Sequence, residues 1–317
     1  MLSYILRRLL IIVPMVLLVI TIAWTLIRLA PGNFYTTEKG LPPAIEKNIR
    51  AKYGLNRPWY EQYGRTMWQI FRHGDFGFSR KYREQTVNDI IYRAAPVFAT
   101  LGLTAYLLAL IVGITAGTLA ALKQNSGLDY GAMAGAMLGI SLPNFVLGPL
   151  LVLIFSLTLF IFPPGRWEWL VQFGPFGIPN PKYLILPAIT LAALYTAYIA
   201  RLTRSGMLEV LRKDYIRTAR AKGLSEKRVV LGHALRGGLL PVISFTGPAL
   251  AFLVAGTVVV ERVFALPGLG TYFINAALNR DEPLLLGITA FVAILILIFN
   301  LLVDIAYAFI DPRIRYE

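Results

Sequence analysis

The chain has 317 residues, of which 56% are hydrophobic and 15% charged, with a formal net charge of +14. A soluble domain is usually about a quarter charged, so this composition excludes an ordinary soluble enzyme and points to a chain that crosses a membrane several times. There is no Cys, hence no disulfide framework and no thiolate chemistry, and the two histidines, His73 and His233, lie far apart, which argues against a His-based metal site.

Arg7 and Arg8 precede Leu9 to Ile27, nineteen residues without a charge, close to the length that spans the hydrocarbon core. A secretory leader has a shorter apolar core and a small-residue cleavage site. Arg28-Leu29-Ala30-Pro31-Gly32 follows instead, so residues 1–30 are expected to hold an uncleaved helix with its N-terminus inside. Residues 31–96 carry eleven Lys/Arg and six acids, beside aromatics that include Trp59, Tyr60, Tyr63, Trp68 and Phe71. The stretch is too polar to span and too aromatic to be disordered. Short helices are expected over Pro42–Tyr53 and Pro58–Phe71. A loop of this length escapes the positive-inside rule, and residues 31–93 are placed outside.

The core of the chain, residues 94–310, is expected to hold spans at about 97–122, 132–162, 183–204, 239–260 and 284–310. Tyr130 to Gly165 is uncharged for 36 residues, roughly 54 Å as a straight helix. It is read as one span with a kink near Pro143 and an apolar extension to Phe162-Pro163-Pro164. Two spans here would make seven and would put the basic loop outside, against the charge bias. Trp167 and Trp169 suit an interfacial belt. Gly113 and Gly117 are spaced for close helix approach. Glu261 to Pro283 is expected to be an outer loop, and Asp304, the acid deepest in a span, to pair or snorkel rather than couple to protons. The prediction is therefore an all-α polytopic membrane protein with six transmembrane helices, both termini in the cytoplasm and a tail over 311–317.

The polar stretch 205–238 interrupts this pattern. From Met207 to Arg236 it holds eight Lys/Arg against three acids, and ten of the 31 basic residues fall between Arg201 and Arg236. That concentration suits a loop beside an anionic cytoplasmic leaflet rather than nucleic acid. Met207, Leu208, Leu211, Tyr215 and Ala219 predict one apolar face of an amphipathic helix running to Lys222. Gly223 ends it, Ser225 and Glu226 open a second short helix, Gly237-Gly238 loosens the chain, and Pro241 stands where the next span begins. Residue chemistry leaves three roles open: a solvated loop, a helix pair on anionic lipid, or a short helix presented to a groove on a soluble partner.

Ala219, Ala221, Gly223 and Leu240-Pro241 resemble the EAA loop of ABC-transporter permease subunits. The acid of that motif's name is absent, with Thr218 or Arg220 in its place, a variant similar to the peptide/nickel branch. Further stretches resemble the same branch: Tyr4-Ile5-Leu6-Arg7-Arg8 through Gly32, Glu261 to Gly270, and Asp304 to Tyr316. Ala277-Leu278-Asn279-Arg280-Asp281 is similar to the B-type subunits of oligopeptide permeases. The resemblance implies the type I ABC importer fold in a bacterial or archaeal cell membrane. It implies a second permease subunit, two ATPases that bind ATP and Mg, an external binding protein, and a peptide substrate moved by alternating access. It places ATPase coupling on Asp214, Tyr215, Arg217, Ala219, Arg220, Ala221, Gly223 and Pro241.

Ser141, Asn144, Tyr195, Tyr198, Ser244 and Thr246 are polar groups in or near spans and are candidates for lining the pathway, although most such groups bond to helix carbonyls or neighbouring helices. No Walker A pattern, catalytic triad or metal cluster can be assembled, so the chain is expected to have no cofactor and no enzymatic activity of its own. The competing expectations are a carrier or channel acting alone, a scaffold or sensor subunit, and an ABC permease for nickel or another small solute.

Overall fold

In the computed structural model, residues 2–30, 44, 47, 48, 51, 54–82 and 84–310 are described; all but residues 44, 47, 48 and 51 of the expected helix over Pro42–Tyr53, the tail 311–317 and the side chain of Asp304 lie outside them. The chain divides into two units, Met1–Pro96 with Gly268–Leu297, and Val97–Pro267 with Ile298–Glu317.

The first unit is built on α1 (Leu2–Leu29), α2 (Trp59–Trp68, continued by a π-helical turn over Gln69–His73), the start of α3 (Val87–Leu122), α11 (Leu269–Asn279) and the first half of α12 (Glu282–Ile310). Its core joins Val16, Ile20 and Trp24 of α1 to Met67 of α2 and to Leu286 and Ala290 of α12. A charged clasp closes it. Buried Asp281 accepts from the Ser79 hydroxyl and from the backbone N–H groups of Arg80 and Lys81 at 2.9 and 3.0 Å. Glu282 next to it is held by Arg28 at 3.0 Å and Arg80 at 2.8 Å. Two guanidinium groups on one carboxylate satisfy the lone pairs that burial would otherwise leave empty. The stretch Glu261 to Pro283, expected to be an outer loop, contains the eleven-residue helix α11.

The second unit is organised on α6 (Pro181–Val210), thirty residues long and buried along much of its length. The rest of α3 lies against it. A Cβ on Gly113 would sit within 2.8–3.0 Å of Ile199 and the Thr196 carbonyl, and one on Gly117 would run into the Ala200 carbonyl and Thr203. The expected close approach is therefore present, with α6 as the partner.

The long apolar run folds less simply than a kinked span. It forms α4 (Gly127–Ser141) and α5 (Asn144–Leu151, continued as a π-helical turn over Val152–Thr158), bent by 107° at the break. Leu142 is extended at ψ 111° and Pro143 at ψ 147°. The ring of Pro143 pushes the preceding residue out of the helical region, and its missing N–H is harmless at the start of α5. The segment beyond, expected to be an interfacial extension, carries a two-stranded antiparallel hairpin, β1 (Trp169–Phe173) and β2 (Phe176–Pro179). α10 (Leu240–Val263) and the end of α12 complete this unit. Among the described residues, five helices are long and apolar enough to cross a membrane, or six if the bent pair is one span.

Candidate functional site

The basic hairpin folds as four short pieces on one apolar core. α6 ends at Val210, α7 runs Asp214–Ala221, and α8 (Glu226–Arg228) leads through a π-helical turn over Val229–Ala234 into α9 (Leu235–Gly238). The single amphipathic helix expected from Met207 to Lys222 is therefore divided at Leu211–Lys213, where Lys213 turns extended at ψ 150°. Side-chain direction explains the break. At about 100° per residue a straight helix would point Ile216 and Ala219 roughly 120–180° away from Met207. The turn lets Met207, Val210, Ile216 and Ala219 enter one cluster with Val229, Val230 and Ala234. Ile216 is fully buried there, whereas Tyr215 is 48% exposed, so Ile216 takes the place in the core expected for Tyr215.

The end of α7 is closed by backbone alone. Gly223 holds φ 76°. Its N–H donates to the Arg220 carbonyl at 2.9 Å, and the N–H of Leu224 to that of Ala219 at 3.4 Å. These are the two bonds of a Schellman motif, and Leu224 adds the usual apolar contact by packing on the cluster that holds Ala219. Ser225 takes the N-cap position of α8 without a side-chain cap bond. Glu226 instead accepts two bonds from Arg220 across the turn, at 2.6 and 3.1 Å. That guanidinium holds the Glu226 carboxyl below its usual range, and the pair fixes α8 against α7.

Gly237-Gly238 is helical and tightly packed rather than a loose joint. A Cβ on Gly206 of α6 would strike the Gly238 carbonyl, one on Gly238 would lie 2.7 Å from the Met207 sulfur, and one on Gly237 would sit 3.1 Å from the Tyr215 hydroxyl. Backbone therefore touches backbone between α6 and α9. Pro241 occupies the first turn of α10, where its ring needs no partner for an N–H. A second brace lies beside α6: Arg204 donates to both oxygens of Asp129 at 2.6 and 2.7 Å, and Asp129 is also met by the Asn125 N–H at 3.0 Å.

Of the sequence-predicted coupling residues, Asp214, Tyr215, Arg217, Arg220, Ala221 and Gly223 lie on the exposed side of the hairpin, and Ala219 is turned into its core. Asp214 and Arg217 face each other at 3.6 Å, both strongly exposed. The outward surface is thus a short helix edged with arginines, able to enter a groove with acidic walls.

The sequence-predicted pathway residues separate into two groups. The Ser141 and Ser244 hydroxyls donate to their own helices, at the Met137 and Leu240 carbonyls, and both residues are exposed. Tyr198 is also exposed and stacks on Phe245 at 5.5 Å. Tyr195 is buried, edge-on to Tyr106, whose hydroxyl donates to Thr246 at 2.8 Å. Asn144 opens α5 at the Pro143 break. Ile216, Gly206, Asp129 and Arg204 were not assigned to the site from sequence, and Gly238 was read only as a loosening residue; the small residue at 206 and the isolated acid after the Lys123 turn were the available signals.

A family model described as "Binding-protein-dependent transport system inner membrane component" matches residues 113–316. The oligopeptide transport system permease protein OppB of Haemophilus influenzae is 48% identical over 316 residues, with all of both chains covered, and that of Salmonella typhimurium is equally similar. The dipeptide transport system permease protein DppB of Bacillus subtilis is 41% identical over 99% of this chain and 98% of its own. Among solved structures, an inward-facing conformation of the MetNI methionine ABC transporter shares the fold with a TM-score of 0.57 at 15% identity, covering 70% of this chain and 96% of that one.

Proposed function

Because the chain belongs to the family of binding-protein-dependent transport system inner membrane components, we propose that it forms half of the membrane pathway of an ATP-driven importer for oligopeptides or dipeptides. The peptide substrate is inferred from the names of full-length relatives. A second permease subunit supplies the other half, two ATPases bind ATP and Mg, and an external binding protein delivers the peptide. The chain sits in the cell membrane of a bacterium or archaeon, with both termini and the hairpin on the ATPase side.

The observation that carries this reading is α7: eight residues, closed by a Schellman turn and seated on its own apolar core through Ile216 and Ala219. Such a helix is stiff enough to be pushed as a unit. When the ATPases close, α7 moves with the groove that holds it. The α6–α9 backbone contact at Gly206 and Gly238 passes that displacement into α6. The Asp129–Arg204 brace passes it on to α4. Alternating access follows from rotating these spans rather than from chemistry in this chain.

The test is co-purification from gently solubilised membranes, wild type beside Arg217→Glu, which alters an exposed side chain and leaves the hairpin core intact. Recovery of a second permease and ATPases with the wild type, with the ATPases lost from the variant, is the expected result. Recovery of the wild-type chain alone, with uptake driven by an ion gradient, would replace this reading by a lone carrier. Uptake of nickel rather than peptide by the intact complex would change the substrate.

A further inference from the structure

We propose that α2 and its π-helical turn, Trp59–His73, form an interfacial helix half-sunk in the outer lipid leaflet, with Tyr60, Trp68 and Phe71 in contact with lipid. The inference rests on α1 and α12 crossing the bilayer and not on any coupling to ATPases.

Depth is the first line of support. The Tyr63 hydroxyl shares a 2.8 Å hydrogen bond with Thr21, and its ring meets Trp24 edge-on at 5.3 Å. α1 ends at Leu29, so Thr21 lies about 12 Å below that end. Met67 packs in the cluster that holds Leu286 and Ala290. These lie about 6 and 12 Å inside α12, counted from Glu282. α2 is therefore pinned against two spans below their ends, at the depth of headgroups and upper acyl chains, rather than standing above them in water.

The shape of the helix is the second. At about 100° per residue within Trp59–Trp68, Tyr63 and Met67 lie roughly 40° apart, and with Ile70 they form the side turned toward protein. The apolar surface does not stop there. Tyr60 and Trp68 continue it by about another 100°, Phe71 follows in the π-helical turn, and the three are 59%, 65% and 46% exposed. Glu61 and Arg65 border the arc beyond Trp68, about 20° and 60° further round, and Gln69 and Arg72 of the π-helical turn are also exposed. An apolar arc much wider than its protein contact, made of Tyr, Trp and Phe and bordered by Arg, has the chemistry of the membrane interface. The aromatic rings fit the boundary between headgroup and chain, and Arg65 and Arg72 suit lipid phosphates. α1 itself exposes apolar side chains at Leu18, Ile22, Leu26 and Leu29, as a helix that meets lipid does.

The chain has no Cys, so single-Cys variants need no background removed. The full-length chain carrying Tyr60→Cys, Trp68→Cys or Phe71→Cys is spin-labelled in liposomes of phosphatidylethanolamine and phosphatidylglycerol. Gln69→Cys is the water-facing control. Accessibility is read to oxygen, which concentrates in lipid, and to a water-soluble nickel chelate. The proposal expects an oxygen-to-nickel ratio several-fold higher at 60, 68 and 71 than at 69. Equal, high nickel accessibility at all four sites would overturn it and leave the aromatic arc as a surface for a soluble protein. Shielding from both probes at 60, 68 and 71 would also overturn it, since protein would then cover the arc. Where one variant fails to insert, Gly64→Cys replaces it; a side chain there meets nothing within 4 Å and lies in the same arc.

Discussion

Replacing Gly223 by Ala isolates one property of the hairpin. A Cβ at this position meets nothing within 4 Å, while φ stands at 76°, so Ala introduces strain without collision. The left-handed conformation costs an ordinary L-residue about 1–2 kcal/mol, and Asn tolerates it better. The cost falls on α7, which has eight residues and relies on its Schellman turn and on Ile216 for its position, because so short a helix has little stability of its own. The strain amounts to roughly a 5–30-fold change in the ratio of seated to unseated α7. The assay is ATP-dependent peptide uptake by the reconstituted complex, with membrane insertion and ATP hydrolysis measured in parallel. Gly223→Ala is expected to insert normally and lose most uptake, Gly223→Asn to retain a large part, and Gly223→Asp to fall further than Asn through its added charge. Wild-type uptake by Gly223→Ala would refute the link between this turn and transport. Equal loss in Ala and Asn would refute the conformational reasoning and place the defect in a side-chain contact.

Three further outcomes follow from the packing. Gly117→Ala drives a methyl into the Ala200 carbonyl and Thr203 and is expected to destabilise the α3–α6 contact by about 1–3 kcal/mol; Gly131→Ala, with nothing within 4 Å, is neutral or slightly stabilising, and thermal denaturation in detergent compares the two. Asp129→Asn leaves Arg204 without its carboxylate; Asp129 is 2% exposed but Arg204 keeps 26% in solvent, so the cost is about 1–3 kcal/mol, less than for a fully buried pair, read as a lowered Tm. Glu226 is held below its usual range by Arg220, so the stabilisation is complete above the ordinary carboxylate range and is lost as pH falls through the lowered value. Protection factors for hydrogen exchange over 214–238, corrected for the intrinsic exchange rate at each pH, are therefore expected to fall on acidification in the wild type and to lose that dependence in Glu226→Gln. The effect is small because both groups are exposed.

The helix stop at Gly223, the Pro241 entry into α10 and the Gly113/Gly117 packing pair were legible because each depends on a residue's own conformational limits. The break at Leu211–Lys213 was not, because no breaker residue marks it; it exists so that Met207 and Ile216 can share a core, and that core is assembled from residues more than twenty positions apart. Gly237-Gly238 carried a local meaning, flexibility, that its packing against Gly206 and Met207 overrides. Pro143 was recognised as a kink, but the 107° bend required Leu142 to leave the helical region as well. The clasp at Asp281 and Glu282 joins residues some 200 positions apart and has no local signature. In the site, the charged rim of α7 was readable from composition, whereas the choice of Ile216 over Tyr215 as the buried residue depended on where α6 stopped.

The break between α4 and α5 has a consequence for water. The Leu142 N–H still reaches the Leu138 carbonyl, but no further turn of α4 follows, so the carbonyls after Leu138 have no helical donors ahead of them. Hydrocarbon offers them none, and irregular backbone at membrane depth persists only where protein or solvent faces it. Ser141 and Asn144 flank this point, and the Ser141 hydroxyl has already turned its proton back to Met137. With this bend inside the hydrocarbon, a spanning chain must keep a hydrated or protein-lined surface at Leu142–Pro143, and lipid tails are excluded from it whatever solute the pathway carries.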